Sequence, residues 1–108
     1  MSDLRAANVV AKSKLLVGAT SVGLDSATPY PLVNGTMNGH MVRRALITCL
    51  GNDVAWTMDG SAAIAGSCHV LEADGTLSLT GANWRGPIKD LQFIQVSAAA
   101  TIIITAMD

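Results

Sequence analysis

Two cysteines, two histidines and a handful of carboxylates are the residues of this 108-residue chain best equipped for chemistry. A metal centre needs ligands that converge, and here only His40, His69, Cys49 and Cys68 offer nitrogen or sulfur. No Cys-x-x-Cys, His-x-His or His-Glu-x-x-His spacing links them. Cys68 and His69 are adjacent, but consecutive residues of a strand point to opposite faces, which argues against joint ligation. A nucleophilic dyad of Cys49 or Cys68 with His40 would need the fold to bring them together, and nothing in the spacing requires it. Asp53, Asp59, Glu72, Asp74 and Asp90 mostly stand beside Gly or Asn, where short acidic side chains build turns. They do not read as the facing carboxyl pair that glycoside hydrolysis needs. "GHMVRR" lacks a phosphate-cradling pattern. The chain is therefore expected to be no enzyme, with no catalytic residue, no metal ligand and no cofactor.

The same residues read more simply as parts of a fold. Each cysteine lies in an apolar, strand-like run, which predicts buried free thiols, with a disulfide between neighbouring strands as the alternative. Trp56 alternates with Val54 and Met58 and is expected to fill the core. Trp84 and Arg85, in "GANWRGP", sit among Gly81, Gly86 and Pro87. They form either an exposed contact pair or a tryptophan folded back over the end of the domain. Tyr30 stands between Pro29 and Pro31, which favours extended backbone.

These residues must be positioned by strands. "KLLVGAT" (14–20) is a short strand candidate. "RALITCL" alternates Ala45, Ile47 and Cys49 with Leu46, Thr48 and Leu50, and Val54–Met58 repeats the pattern. The Gly51-Asn52-Asp53 stretch between them is short enough for a hairpin turn. "CHVL" predicts another short strand, and "DGTLSLTG" follows with Leu77 and Leu79 inward. "IKDLQFIQVS" has apolar residues on both faces, which implies a bulge or cover on both sides. Ile102-Ile103-Ile104 is expected in a central or covered strand, because an exposed apolar edge aggregates. Residues 21–40 carry Gly23, Pro29, Pro31, Gly35 and Gly39 and read as a long surface loop or as an arm lying across a neighbouring subunit. Residues 1–13 read as an arm, with Leu4 and Arg5 as contact residues. The expectation is a single all-β domain over 14–108, an antiparallel sandwich or barrel, jelly-roll-like, with an extended, irregular N-terminal segment.

Composition limits the partners. Only 14% of residues are charged against 50% hydrophobic, where an average soluble domain has roughly 25% charged. Such a surface suits contact with other subunits. The seven basic residues are scattered, Arg43-Arg44 being the sole adjacent pair, so no positive stripe tracks a nucleic-acid backbone. No apolar run approaches the ~20 residues of a membrane-spanning helix. Asp3, Arg5, Lys12 and Lys14 interrupt any signal-peptide pattern, which predicts accumulation in the cytoplasm.

Residues 43–106 resemble the small β-sandwich structural proteins of tailed bacteriophages and prophages. The likeness rests on the "ALIT" strand, the "V-x-W-x-x-DG" strand, a Gly-containing loop, "G-x-L-x-L", "L-x-F-I" and a final β-branched strand. Where such proteins place a proline soon after the Asp-Gly, this chain has Ser61-Ala62-Ala63. The resemblance implies a non-enzymatic virion component assembled in the host cytoplasm: a capsid decoration or cement protein. Its implied partners are the major capsid protein or other virion proteins and further copies of itself, as a trimer or dimer. A neck, tail or fibre adaptor is the neighbouring expectation. A carbohydrate-binding module using Trp84 or Tyr30 is another, though only four aromatic residues are present. Leu4, Arg5, Tyr30, Trp84 and Arg85 are the expected partner contacts.

Overall fold

The computed structural model describes residues 9–80 and 87–108. They form, in chain order, β1 (Val9–Val17), β2 (Val22–Gly23), β3 (Thr36–Met37), β4 (His40–Met41), β5 (Arg44–Leu50), β6 (Val54–Thr57), β7 (His69–Leu71), β8 (Thr76–Thr80), β9 (Gln92–Gln95) and β10 (Ala100–Met107). Two short 3-10 turns interrupt them, at Leu24–Ser26 and Pro87–Asp90.

The pairing is nested. β1 pairs antiparallel with β10, β2 with β9, β5 with β8 and β6 with β7. The chain thus runs out and back as one long folded hairpin whose tip is the β6–β7 connection. Two further antiparallel pairings, β10 with β5 and β9 with β6, complete the sheets. The result is two four-stranded sheets, β1-β10-β5-β8 and β2-β9-β6-β7, with β3-β4 as a separate small ribbon. Eight strands in this order make a jelly-roll sandwich.

Burial follows the pleat. Along β5 the inward residues Ala45, Ile47 and Cys49 are buried, while Leu46, Thr48 and Leu50 face out. Along β10 the inward set is Ala100, Ile102, Ile104 and Ala106. Phe93 closes the core from the second sheet, with Leu91 just before β9, and Leu15 and Val17 close it from β1. The triple isoleucine is central, flanked by β1 and β5 as the sequence led one to expect. Its middle member, Ile103, points to the outer face.

Three expectations change. Residues 45–60 are not a hairpin: β5 belongs to the first sheet and β6 to the second, so Gly51-Asn52-Asp53 carries the chain between layers. Alternation shows which side chains face the core, and a core between two layers is served equally by a sheet-crossing turn. β1 begins at Val9 rather than Lys14, which takes Val9–Ser13 out of the arm. Cys68 lies just before β7 rather than within a strand, and it is only half-buried, because β7 starts at His69. Both cysteines are free thiols.

The 21–40 segment lies against its own domain. Leu24, Ala27, Leu32 and Met37 are buried in the core. Lys14 and Thr28 exchange backbone hydrogen bonds of 2.8 and 2.9 Å. The buried Ser13 hydroxyl donates to the Tyr30 carbonyl (2.9 Å) and accepts from the Tyr30 N–H (3.1 Å). Asn38 Nδ2 donates to the Val10 carbonyl at 3.1 Å. The free edge of β1 is thereby covered by its own chain.

Candidate functional site

The register aligns the outward residues of the first sheet in rows. Leu16, Thr101 and Leu50 form one row, and Lys14, Ile103, Thr48 and Thr76 the next. Lys12, Thr105, Leu46 and Ser78 follow. At the far end Arg44 and Thr80 align, beside a Met107 that is buried. Leu16 is 70% exposed, Leu50 41% and Leu46 39%. None of the four strands contains an acidic residue, and their three basic residues are Lys12, Lys14 and Arg44. The acidic residues among those described all lie in turns, in the two 3-10 segments or at Asp108. The face is therefore apolar and hydroxylated, with positive charge along the β1 side and at one end.

Such a face turns apolar side chains and hydroxyls toward solvent. Leucine and isoleucine stabilise an interface by leaving water, at roughly 25 cal/mol per Å² of apolar surface covered. Threonine favours the pleated backbone and leaves a hydroxyl for a partner. The face ends in a shallow depression of about 350 Å³ walled by Leu16, Gly18, Leu50, Gly51 and Thr101.

A second feature lies at the far end of β6. Trp56 packs against the core while remaining half-buried, and its ring centroid lies 5.2 Å from that of His69, tilted by 35°. The two residues are cross-strand partners in the β6–β7 pair. With Thr57, Met58, Asp59 and Cys68 they line an open cleft of about 470 Å³. Met58 lies past the end of β6 and is exposed, so it does not share the core role expected from its alternation with Trp56. The Ser61 hydroxyl and then the Ser61 amide donate to Asp59 Oδ1, holding the Asp59 carboxyl below the ordinary aspartate range. Asp59 thus builds its turn. At the opposite turn, Asp53 Oδ1 accepts the Ala73 N–H at 2.9 Å and ties the β5–β6 crossing to the β7–β8 connection. The Cys49 thiol donates to the Asn52 carbonyl nearby. Burial, and after it the charges of Asp53 and Asp74, push that thiol above its ordinary range.

Among the described residues, no three His, Cys, Asp or Glu side chains converge to hold a metal ion. His40 stands exposed on β4, away from the Trp56–His69 cleft. Of the expected contact residues, Tyr30 is 37% exposed at the β1 edge, with its backbone engaged by Ser13. Leu4, Arg5, Trp84 and Arg85 lie outside the described residues. The outward leucines and Ile103 were not singled out from the sequence. The signal was the second apolar set of the β5 alternation, but pairing was needed to show that it faces away from the core. Compared with protein-family models, curated proteins and solved structures, the chain finds no match.

Proposed function

We propose that this chain is a non-enzymatic structural protein of a tailed-bacteriophage virion, most simply a capsid decoration protein seated on the major capsid protein through the outer face of its first sheet. The observation that carries this reading is that face: four strands without an acidic residue, presenting Leu16, Leu46, Leu50 and Ile103 among threonines. The resemblance of residues 43–106 to small phage β-sandwich proteins supports the virion setting. A fold of this kind hosts many functions, so the weight falls on the surface rather than the architecture.

The mechanism is mass action. A protein that binds the assembled lattice and not its dissociated subunits stabilises the lattice in proportion to its occupancy. Each seated copy adds its own binding free energy, so a shell carrying many copies gains the sum of many modest contributions. Replacing Leu16 and Leu50 together by Glu tests the face, since both are exposed and share a row. Co-sedimentation with capsids should weaken at least about 30-fold, the loss of about 2 kcal/mol that marks an interface hot spot. The urea midpoint should hold. Undiminished co-sedimentation would refute the assignment of the face.

A saccharide-binding module is the second reading, favoured by the Trp56–His69 cleft with its hydrogen-bonding rim. Quenching or a blue shift of tryptophan fluorescence on titration with host-surface glycans, lost in His69→Ala, would support it. A neck, tail or fibre adaptor would use the same outer face at a much lower copy number.

A further inference from the structure

We infer that β8 is a self-pairing edge: two copies of this chain join antiparallel along β8, about a two-fold axis at Ser78, into one continuous eight-stranded sheet. The edges of the sandwich are treated unequally. β2 and β7 are two and three residues long, too short to template a partner. The edge of β1 carries Lys12 and Lys14 and is covered by backbone bonds from Thr28 and by the Asn38 side chain. β8 spans five residues, carries no charge and no proline, and pairs among the described residues with β5 alone.

Its sequence matches a two-fold axis. Thr76-Leu77-Ser78-Leu79-Thr80 reads the same in both directions. An isologous contact places residue i against j and j against i. Centred on Ser78, it sets Thr76 opposite Thr80, Leu77 opposite Leu79 and Ser78 opposite its own copy. No like charges meet.

The ladder points the right groups outward. The Cys49 N–H donates to the Gly75 carbonyl, so Cys49 turns its backbone groups toward the β8 side. By the alternation of an antiparallel pair, Ile47 and Ala45 do the same toward their partners Leu77 and Leu79. The backbone groups of Thr76, Ser78 and Thr80 are therefore the ones directed away from β5. Those are the residues that become hydrogen-bonded pairs in the two-fold register. Leu77 and Leu79, only half-buried in one copy, would meet across the new pair and cover each other. The two outer faces described above would merge into one. Five paired residues make a small interface, so a weak dimer is expected, in the range of about 10 to 100 µM, as befits contacts well below ~1,200 Å².

Sedimentation equilibrium on the purified chain, up to about 1 mM, tests this without reference to any virion. The expected result is a monomer–dimer equilibrium. Ser78→Pro should abolish it, because the lost N–H faces outward and the β5 ladder is carried by Leu77 and Leu79. Ser78→Lys should weaken it at least tenfold and make it salt-dependent, since two ammonium groups then face each other. Unchanged far-UV circular dichroism confirms the fold of both variants. In Ser78→Cys with Cys68→Ser, oxidation should cross-link two copies at a Cα separation suited to a disulfide, about 5.5 Å. A wild-type chain monomeric at the highest concentration, or a dimer that survives Ser78→Lys, would overturn the inference.

Discussion

Ile103 and Ile104 are neighbours with the same side chain in the same strand, and the structure assigns them opposite environments. Ile104 is fully buried between the sheets, whereas Ile103 points outward between Lys14 and Thr48. Ile104→Ala removes about three buried carbon groups, worth roughly 0.8 kcal/mol each by transfer from water. The core relaxes only partly around the vacancy. A residual cavity of some 40–60 Å³, at about 24 cal/mol per Å³, adds roughly 1 kcal/mol. The expected loss is thus about 3–4 kcal/mol. Ile103→Ala keeps the core intact and forfeits only β-propensity and partial cover, about 0.5–1 kcal/mol. Urea titration followed by tryptophan fluorescence measures both from the midpoint at constant slope. Equal losses would mean that Ile103 is as buried as Ile104, and the outer face could not then be free for a partner.

Asp53→Ala should cost about 1–2 kcal/mol, because the Ala73 N–H loses its acceptor, and Asp53→Asn should recover part of it; equal urea midpoints for wild type and Asp53→Ala would contradict the link between the turns. Under native conditions a disulfide reagent should titrate the half-buried Cys68 quickly and Cys49 only after unfolding. The Cys49 thiol is raised in the folded state, so its contribution to stability is intact below the ordinary thiol value and falls as pH rises through the folded one. Stability should therefore drop in the alkaline range above about pH 9, and a Cys49→Ser variant should show less of that drop.

Much of the architecture was legible because a two-residue period reports which side chains face the core. Ala45, Ile47 and Cys49, Leu77 and Leu79, and the outer isoleucines of the triplet all lie as their alternation implied. Partner choice was not legible. The Gly51-Asn52-Asp53 turn looks the same whether it closes a hairpin or crosses between layers. Only the long-range pairings of β5 with β10 and β6 with β9 decide between them. The outer apolar face was hidden for a related reason. Leu46 and Leu50 are as apolar as Ile47, and composition alone cannot say which set the second sheet covers. Ser13 was illegible in another way, since its inward position is tolerated only because the backbone of Tyr30, 17 residues on, meets both halves of its hydroxyl.

The central claim is occupancy of a virion lattice, and counting copies tests it most directly. Quantitative mass spectrometry of purified particles, scaled to the major capsid protein, gives the number. A one-to-one or simple fractional ratio to the lattice subunit is the result expected of a decoration protein, since closed symmetry allows only such ratios. About a dozen copies or fewer would move the chain to the neck or tail, and its absence from the particle would contradict the account.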